Sequence, residues 1–408
     1  MFMSFGAKIR RIRRGAEVEP VRPADDQGYS LHTSLHTSEP VIMRARTLVV
    51  LGLAAVSGCT GDTRSRQVGA DALPATGVRV DLTGAGATFP YPLYSRWFNE
   101  YAQRTNVRIN YQSIGSGGGI RQVLAKTVDF GATDVPMTDA ELTDSRMRII
   151  HVPTVLGAVA ITYNVPGLKR PLNLSGDVIA DIFLGRIARW NDKRIASLNP
   201  ADTLPDADIL VVHRADGSGT SYIFSDYLAA VSPAWSSGPG RGKDVRWPTG
   251  IGGKGNEGVA GAVKQMVGSI GYLEVVYARQ NRLPVVHVRN QSGRFVSPMA
   301  FEIASAATSI VADGGQDGFR VSLVNAPGVH SYPIASFTWM LLAPDAIGPV
   351  KTRQMVDFMR WALSDGGDMA STLGYVPLPT ETASRVLAQL DSIVPAAAAG
   401  TSTAKSSP

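Results

Sequence analysis

The chain has 408 residues, enough for two domains of ordinary size, and with 44% hydrophobic and 18% charged residues most of it is expected to fold around apolar cores. The formal net charge is +6, yet residues 1–58 hold eight Lys/Arg against five Asp/Glu, so only +3 remains for the rest. A body so close to neutral lacks the dense basic face that nucleic-acid binding requires, which argues against that class.

Residues 1–42 are polar and show no apolar periodicity, so translation is expected to start at Met43. From there Met-Arg-Ala-Arg runs into Thr47 to Ser57 (TLVVLGLAAVS) and then Gly58-Cys59. A basic start, a short apolar core and small residues before a cut site describe a secretory signal, too short for a comfortable membrane span. The ending Val56-Ser57-Gly58-Cys59 is similar to the bacterial lipobox, which makes Cys59 the expected site of lipidation and the anchor of an exported protein. As the only cysteine in the chain, it leaves the mature body with no internal disulfide and no thiol nucleophile. Residues 59–77, rich in Gly, Asp, Arg and Ala, read as a flexible tether.

The body opens with Val78, Val80 and Leu82 alternating with polar residues, the period of a half-buried strand. A turn, Gly84-Ala85-Gly86-Ala87-Thr88-Phe89-Pro90, leads to Tyr94, Trp97, Phe98 and Tyr101 at helical spacing. The unit repeats as a strand at 107–112, a turn at Gly115-Ser116-Gly117-Gly118-Gly119, and a helix with Ile120, Val123, Leu124 and Val128 on its inner face. Further strands are expected at 155–163 and 209–213, followed by Asp216-Gly217-Ser218-Gly219-Thr220 opening a helix through Ile223, Phe224, Tyr227 and Leu228. A helix starting at Asn256 carries Val259, Ala262, Val263, Met266 and Val267; strands at 270–272 and 337–342 follow, and then a helix with Pro349 near its start and Met355, Met359, Ala362 and Leu363 inside. Strands alternating with helices predict an α/β fold with mainly parallel sheets covered on both faces. Residues 394–408 are low in complexity and read as a disordered tail. Trp190, Trp235 and Trp247 are better placed in packing than at a partner surface.

Three Gly/Ser/Thr-rich turns thus lie just before helices. Each offers backbone N–H groups without an intrahelical partner, together with the positive end of a helix dipole, which is a binding site for an anion. Thr88, Ser116, Ser218 and Thr220 add hydroxyl donors, and Arg214 can supply a charge-assisted fork. None of the turns carries the Gly-Lys-Ser/Thr of nucleotide hydrolases.

The segments Thr83 to Pro90 (TGAGATFP), Ile114 to Gly119 (IGSGGG), Thr127 to Asp134 (TVDFGATD), Asp181 to Ile187 (DIFLGRI), Arg214 to Ser221 (RADGSGTS) and Gly252 to Gly258 (GGKGNEG) together resemble the PstS family of phosphate-binding proteins, which serve the bacterial phosphate ABC transporter. The likeness runs in unchanged order from about Val78 to Leu390. It implies a two-lobed type II periplasmic-binding-protein fold, with lobe I over 78–155 plus 296–393, lobe II over 156–295, and phosphate in the interlobe cleft. It also implies a monomer that docks on a membrane permease, is exported to the periplasm or cell surface, needs no cofactor or metal and catalyses nothing. By that resemblance the phosphate ligands are Thr88, the Phe89 backbone N–H, Ser116, Asp134, Arg214, Ser218, Gly219 and Thr220, with Asp216 as the acid that pairs with the arginine. Gly117 departs from the family, where a second serine is common.

Asp134 has a chemical reading of its own in this setting. A carboxylate repels an anion unless the ligand brings a proton to bridge them; mono- and dibasic phosphate carry a P–OH and sulfate does not, so the acid would reject sulfate. Two alternatives stand beside this reading. One is a phosphate-ester hydrolase, for which His151, His213, His287 and His330 are widely scattered and no base is assigned beside Ser116 or Ser218. The other is a binding protein for another oxyanion.

Overall fold

A computed structural model describes residues 79–311 and 319–394 of the chain. The leader (1–58), Cys59, the tether (59–77) and, except for Val394, the tail lie outside the described residues.

The first strand, β1 (Val80–Gly86), feeds α1 (Tyr91–Arg104), whose helical spacing buries Leu93, Tyr94, Trp97, Phe98 and Tyr101 as expected. Next come β2 (Val107–Ser113), parallel to β1, then α2 (Ser116–Leu124), β3 (Phe130–Thr133), parallel to β1 on its other side, and α3 (Asp139–Ser145). Helix α2 ends before Val128: Ala125 caps it and Lys126 turns the chain at a positive φ of 57°. Val128 is buried all the same, but from the connection to β3.

The long strand β4 (Ile150–Tyr163) is buried along its whole length. It begins at Ile150 rather than Val155, because burial on both faces erases the alternation that marks a strand. Pro153 is tolerated inside it at an irregularity in the pairing with the returning strand. After β4 come β5 (Asn173–Leu174), α4 (Gly176–Phe183), α5 (Lys193–Leu198), β6 (Leu210–Arg214), α6 (Gly219–Val231), α7 (Pro233–Ser237) and β7 (Ile251–Gly253). Helix α8 (Gly255–Gln265) stops short of Met266 and Val267; the chain is extended at Met266 and turns at Gly268, leaving Val267 exposed.

The chain continues through β8 (Ser269–Glu274), α9 (Val275–Asn281), β9 (His287–Arg289), β10 (Phe295–Val296) and α10 (Ala300–Val311). It then forms β11 (Ala335–Leu342), α11 (Pro344–Leu363), α12 (Gly367–Leu373), β12 (Val376–Pro377) and α13 (Thr380–Asp391). Helix α11 is kinked at Gly348 and buries Met355, Met359 and Ala362.

The main sheet runs in the order β2-β1-β3-β11-β4-β8-β6-β7, with β12 also on β4, and a small sheet runs β10-β9-β5. The pairs among β1, β2 and β3 and among β6, β7 and β8 are parallel, while β11 and β4 run antiparallel to their neighbours. Strand β4 changes partner along its length, pairing with β11 up to Ala158 and with β8 from Val159. It therefore joins two parallel α/β halves, and the turns after β1, β2, β3 and β6 leave the carboxyl ends of the strands, where ligands bind in such sheets.

Candidate functional site

Strand β1 ends at Gly86, whose φ of 144° and the 2.1 Å that would separate a Cβ from the Ala132 carbonyl oxygen admit only glycine. This close approach to β3 aims the following turn across the sheet. Thr88 and Phe89 are buried in it. The Tyr277 hydroxyl donates to the Thr88 carbonyl at 2.6 Å and the Tyr375 hydroxyl to the Phe89 carbonyl at 2.7 Å. With both carbonyls held, the Phe89 N–H finds no acceptor among the described residues and remains available to a ligand.

The second and third contributions come from β2 and β3. Ser116 is the first residue of α2, and its Oγ accepts from the Asp134 N–H at 3.1 Å and donates to Asp134 Oδ2 at 3.3 Å. Thr338 of β11 donates its hydroxyl to Asp134 Oδ1 at 2.8 Å. Asp134 is 2% exposed. Burial pushes its carboxyl up to about 7; the bonds from Thr338 and Ser116 and the charge of Arg214 pull the other way without cancelling that cost. The group therefore stands poised between charged and neutral near neutral pH.

The remaining turn leaves β6. Arg214, 3% exposed, forks onto Asp216 through Nε–Oδ1 at 2.7 Å and Nη2–Oδ2 at 2.5 Å, and its Nη1 reaches Thr220 Oγ1 at 3.1 Å. Asp216 Oδ1 also accepts from the Gly255 N–H at 3.0 Å, tying the start of α8 to the pair. The cost of taking the two charges out of water offsets much of their attraction, while the fork fixes the direction of the guanidinium. Ser218 caps α6, its Oγ accepting from the Ser221 N–H at 3.0 Å. The Gly219 and Thr220 N–H groups at the helix start have no acceptor among the described residues.

These parts meet. A Cβ on Gly219 would lie 2.3 Å from Ser116 Oγ and 2.7 Å from Asp134 Oδ2, so the start of α6 sits directly against the start of α2. The Gly117 N–H donates to the Gly217 carbonyl at 2.9 Å across the same seam. Asn256 Nδ2 donates to Thr88 Oγ1 at 2.7 Å and lies 3.4 Å from Thr220 Oγ1, bridging the first turn and the last. The side chains of Thr88, Ser116, Asp134, Arg214, Asp216, Ser218 and Thr220, with the amides of Phe89 and Gly219, thus form one buried cluster. Beside Asp134 a cavity of about 370 Å³ opens, with Tyr222, Arg241 and Arg320 in its wall.

Sequence reasoning passed over Asn256, Thr338, Tyr277 and Tyr375. Asn256 lies in a Gly-rich helix start, the one clue available; Thr338 is an ordinary β-branched strand residue, and the two tyrosines fit any aromatic core. Trp190 and Trp235 are fully buried, and Trp247 is half-buried and stacks on His213, all three in packing roles. The cluster offers main-chain and hydroxyl donors, one cation already matched by an acid, and one acid with no cation of its own. Such a cradle suits a small anion that carries a proton.

The PBP superfamily domain model matches residues 60–366. The chain is 45% identical over 309 residues to the phosphate-binding protein PstS of Haemophilus influenzae, covering 76% of this chain and 92% of that protein. It is 46% identical to the PstS of Pasteurella multocida, covering 76% and 89%. Among solved structures, a high-affinity periplasmic phosphate-binding protein (PfluDING) bound with phosphate shares the fold at a TM-score of 0.60 and 23% identity, covering 76% of this chain and 93% of that one.

Proposed function

Because the chain belongs to the PstS family of phosphate-binding proteins, within the PBP superfamily, we propose that the buried cluster is its phosphate site. The fold is the two-lobed type II periplasmic-binding-protein fold, and the chain binds inorganic phosphate for uptake by an ABC-type importer; it is a binding protein and not an enzyme. In this reading the anion is held by the Thr88, Ser116, Ser218 and Thr220 hydroxyls, the Phe89, Gly219 and Thr220 amides and the Arg214 guanidinium, while Asp216 holds the guanidinium in place. The observation that carries the reading is Asp134. An acid buried among donors is costly in front of a proton-free anion and favourable in front of one whose P–OH can donate to it. A pKa near 7 lets Asp134 and phosphate share that proton at physiological pH.

The lobe boundaries at 78–155 plus 296–393 and 156–295 draw support from β4, which exchanges one partner strand for another between Ala158 and Val159. The protein is exported. We assign Cys59 as its lipid anchor from the signal-like sequence before it, and take the working form as a monomer that delivers phosphate to a membrane permease. Isothermal calorimetry tests the ligand: the expected result is one phosphate per chain at micromolar affinity or tighter, about 8 kcal/mol or more, undisturbed by excess sulfate. Equal competition by sulfate would overturn the specificity argument, and turnover of a chromogenic phosphate ester, abolished in Ser116→Ala, would overturn the non-enzymatic role.

A further inference from the structure

We infer that Asn256 sets the direction of the hydroxyl protons that face the phosphate, acting as a positioning residue for the site proposed above and resting on that proposal. Asn256 is fully buried in the first turn of α8. Its Oδ1 accepts from the Glu274 N–H at 3.0 Å, which leaves its Nδ2 as the end turned toward the two threonines. Thr88 Oγ1 accepts from Asn256 Nδ2 at 2.7 Å and from the Asn256 N–H at 3.4 Å. Thr220 Oγ1 accepts from Arg214 Nη1 at 3.1 Å and from Asn256 Nδ2 at 3.4 Å.

A threonine hydroxyl has two lone pairs and one proton. In both threonines the lone pairs already receive donors, and among the described residues no acceptor takes either proton. Each proton is therefore left to point into the cluster, where an anion accepts it. Had the amide been an acid, the threonines would turn their protons onto it and present lone pairs to the ligand. Asn256 thus makes donors of two groups that could serve in either sense. It does so from both ends of the site at once, since Thr88 follows β1 and Thr220 opens α6. This also selects against ligands that need an acceptor at these two positions.

The test is a coupling experiment by phosphate calorimetry on the full chain, with thermal unfolding in the absence of phosphate as a check on folding. Asn256→Ala should weaken phosphate binding by about tenfold or more, the usual scale for losing two oriented hydrogen bonds. In a Thr88→Val, Thr220→Val background the same substitution should cost less than about threefold, because the hydroxyls it acts through are gone. Asn256→Asp should weaken binding further, and increasingly as pH rises and the new carboxyl ionises. Equal losses in both backgrounds would overturn the inference and leave Asn256 a packing residue. If Asn256→Ala does not fold, Asn256→Ser and Asn256→Asp carry the same comparison. Arg214→Ala separates the two claims. Loss of binding there with additive Asn256 effects sinks only this inference, whereas unchanged affinity in Arg214→Ala sinks the site itself.

Discussion

At the residue scale the cost of burying charge governs Asp134. Asp134 is enclosed by Ser116, Thr338 and the start of α6, and no cation among the described residues pairs with it; the guanidinium in the cluster is committed to Asp216. Its carboxyl therefore titrates near 7, well above the ordinary 3.8. Between those values the folded chain holds a proton that the unfolded chain has released, so the stability this proton contributes is complete below pH 4 and is lost as pH rises through about 7. At about 1.4 kcal/mol per unit, the loss is on the order of 4 kcal/mol. Burial raises the Glu274 carboxyl as well, and it contributes in the same direction. Asp134→Asn should flatten the fall in melting temperature of the phosphate-free protein across this window, and it should let sulfate compete for the site. A melting curve against pH with the wild-type slope, together with undiminished rejection of sulfate, would remove Asp134 from its role.

At the scale of elements, what matters is how closely helix starts approach each other. Helices α2 and α6 meet at Gly219, where even one methyl group would intrude on Ser116 and Asp134. Overpacking of this kind costs about 1–3 kcal/mol, so Gly219→Ala should lower folding stability by about that much and weaken phosphate binding at least a hundredfold. Calorimetry and thermal unfolding on the same sample check both halves of that expectation. The helices after Gly-rich turns were legible because their apolar residues recur at helical spacing, and the buried cluster is built from hydroxyls and amides at their starts. The start of β4 carries no alternation because both of its faces are buried, and short strands such as β3, β7 and β12 carry too few residues to show a period. Asn256 and Thr338 were illegible as site residues because their roles arise from contacts with Thr88 and Asp134, each far away in sequence.

At the scale of the whole molecule, the proposed site draws on both halves of the sheet. Thr88, Ser116 and Asp134 follow strands on one side of β4, while Arg214 and α6 lie on the other. The bonds from Gly117 to Gly217 and from Lys243 Nζ to Glu141 Oε1, at 2.9 Å each, tie the same two halves together. The Lys243–Glu141 pair is partly exposed, so its share is small beside that of the buried cluster. Strand β4, which pairs with β11 up to Ala158 and with β8 from Val159, is the element that links the two halves. The most direct measurement of the central claim is a crystal structure of the protein with phosphate. Tetrahedral density is expected, enclosed by the turns of Thr88, Ser116 and Ser218, with one oxygen within hydrogen-bonding distance of the Asp134 carboxylate. Phosphate found elsewhere, or bound with Asp134 turned away from it, would contradict the account.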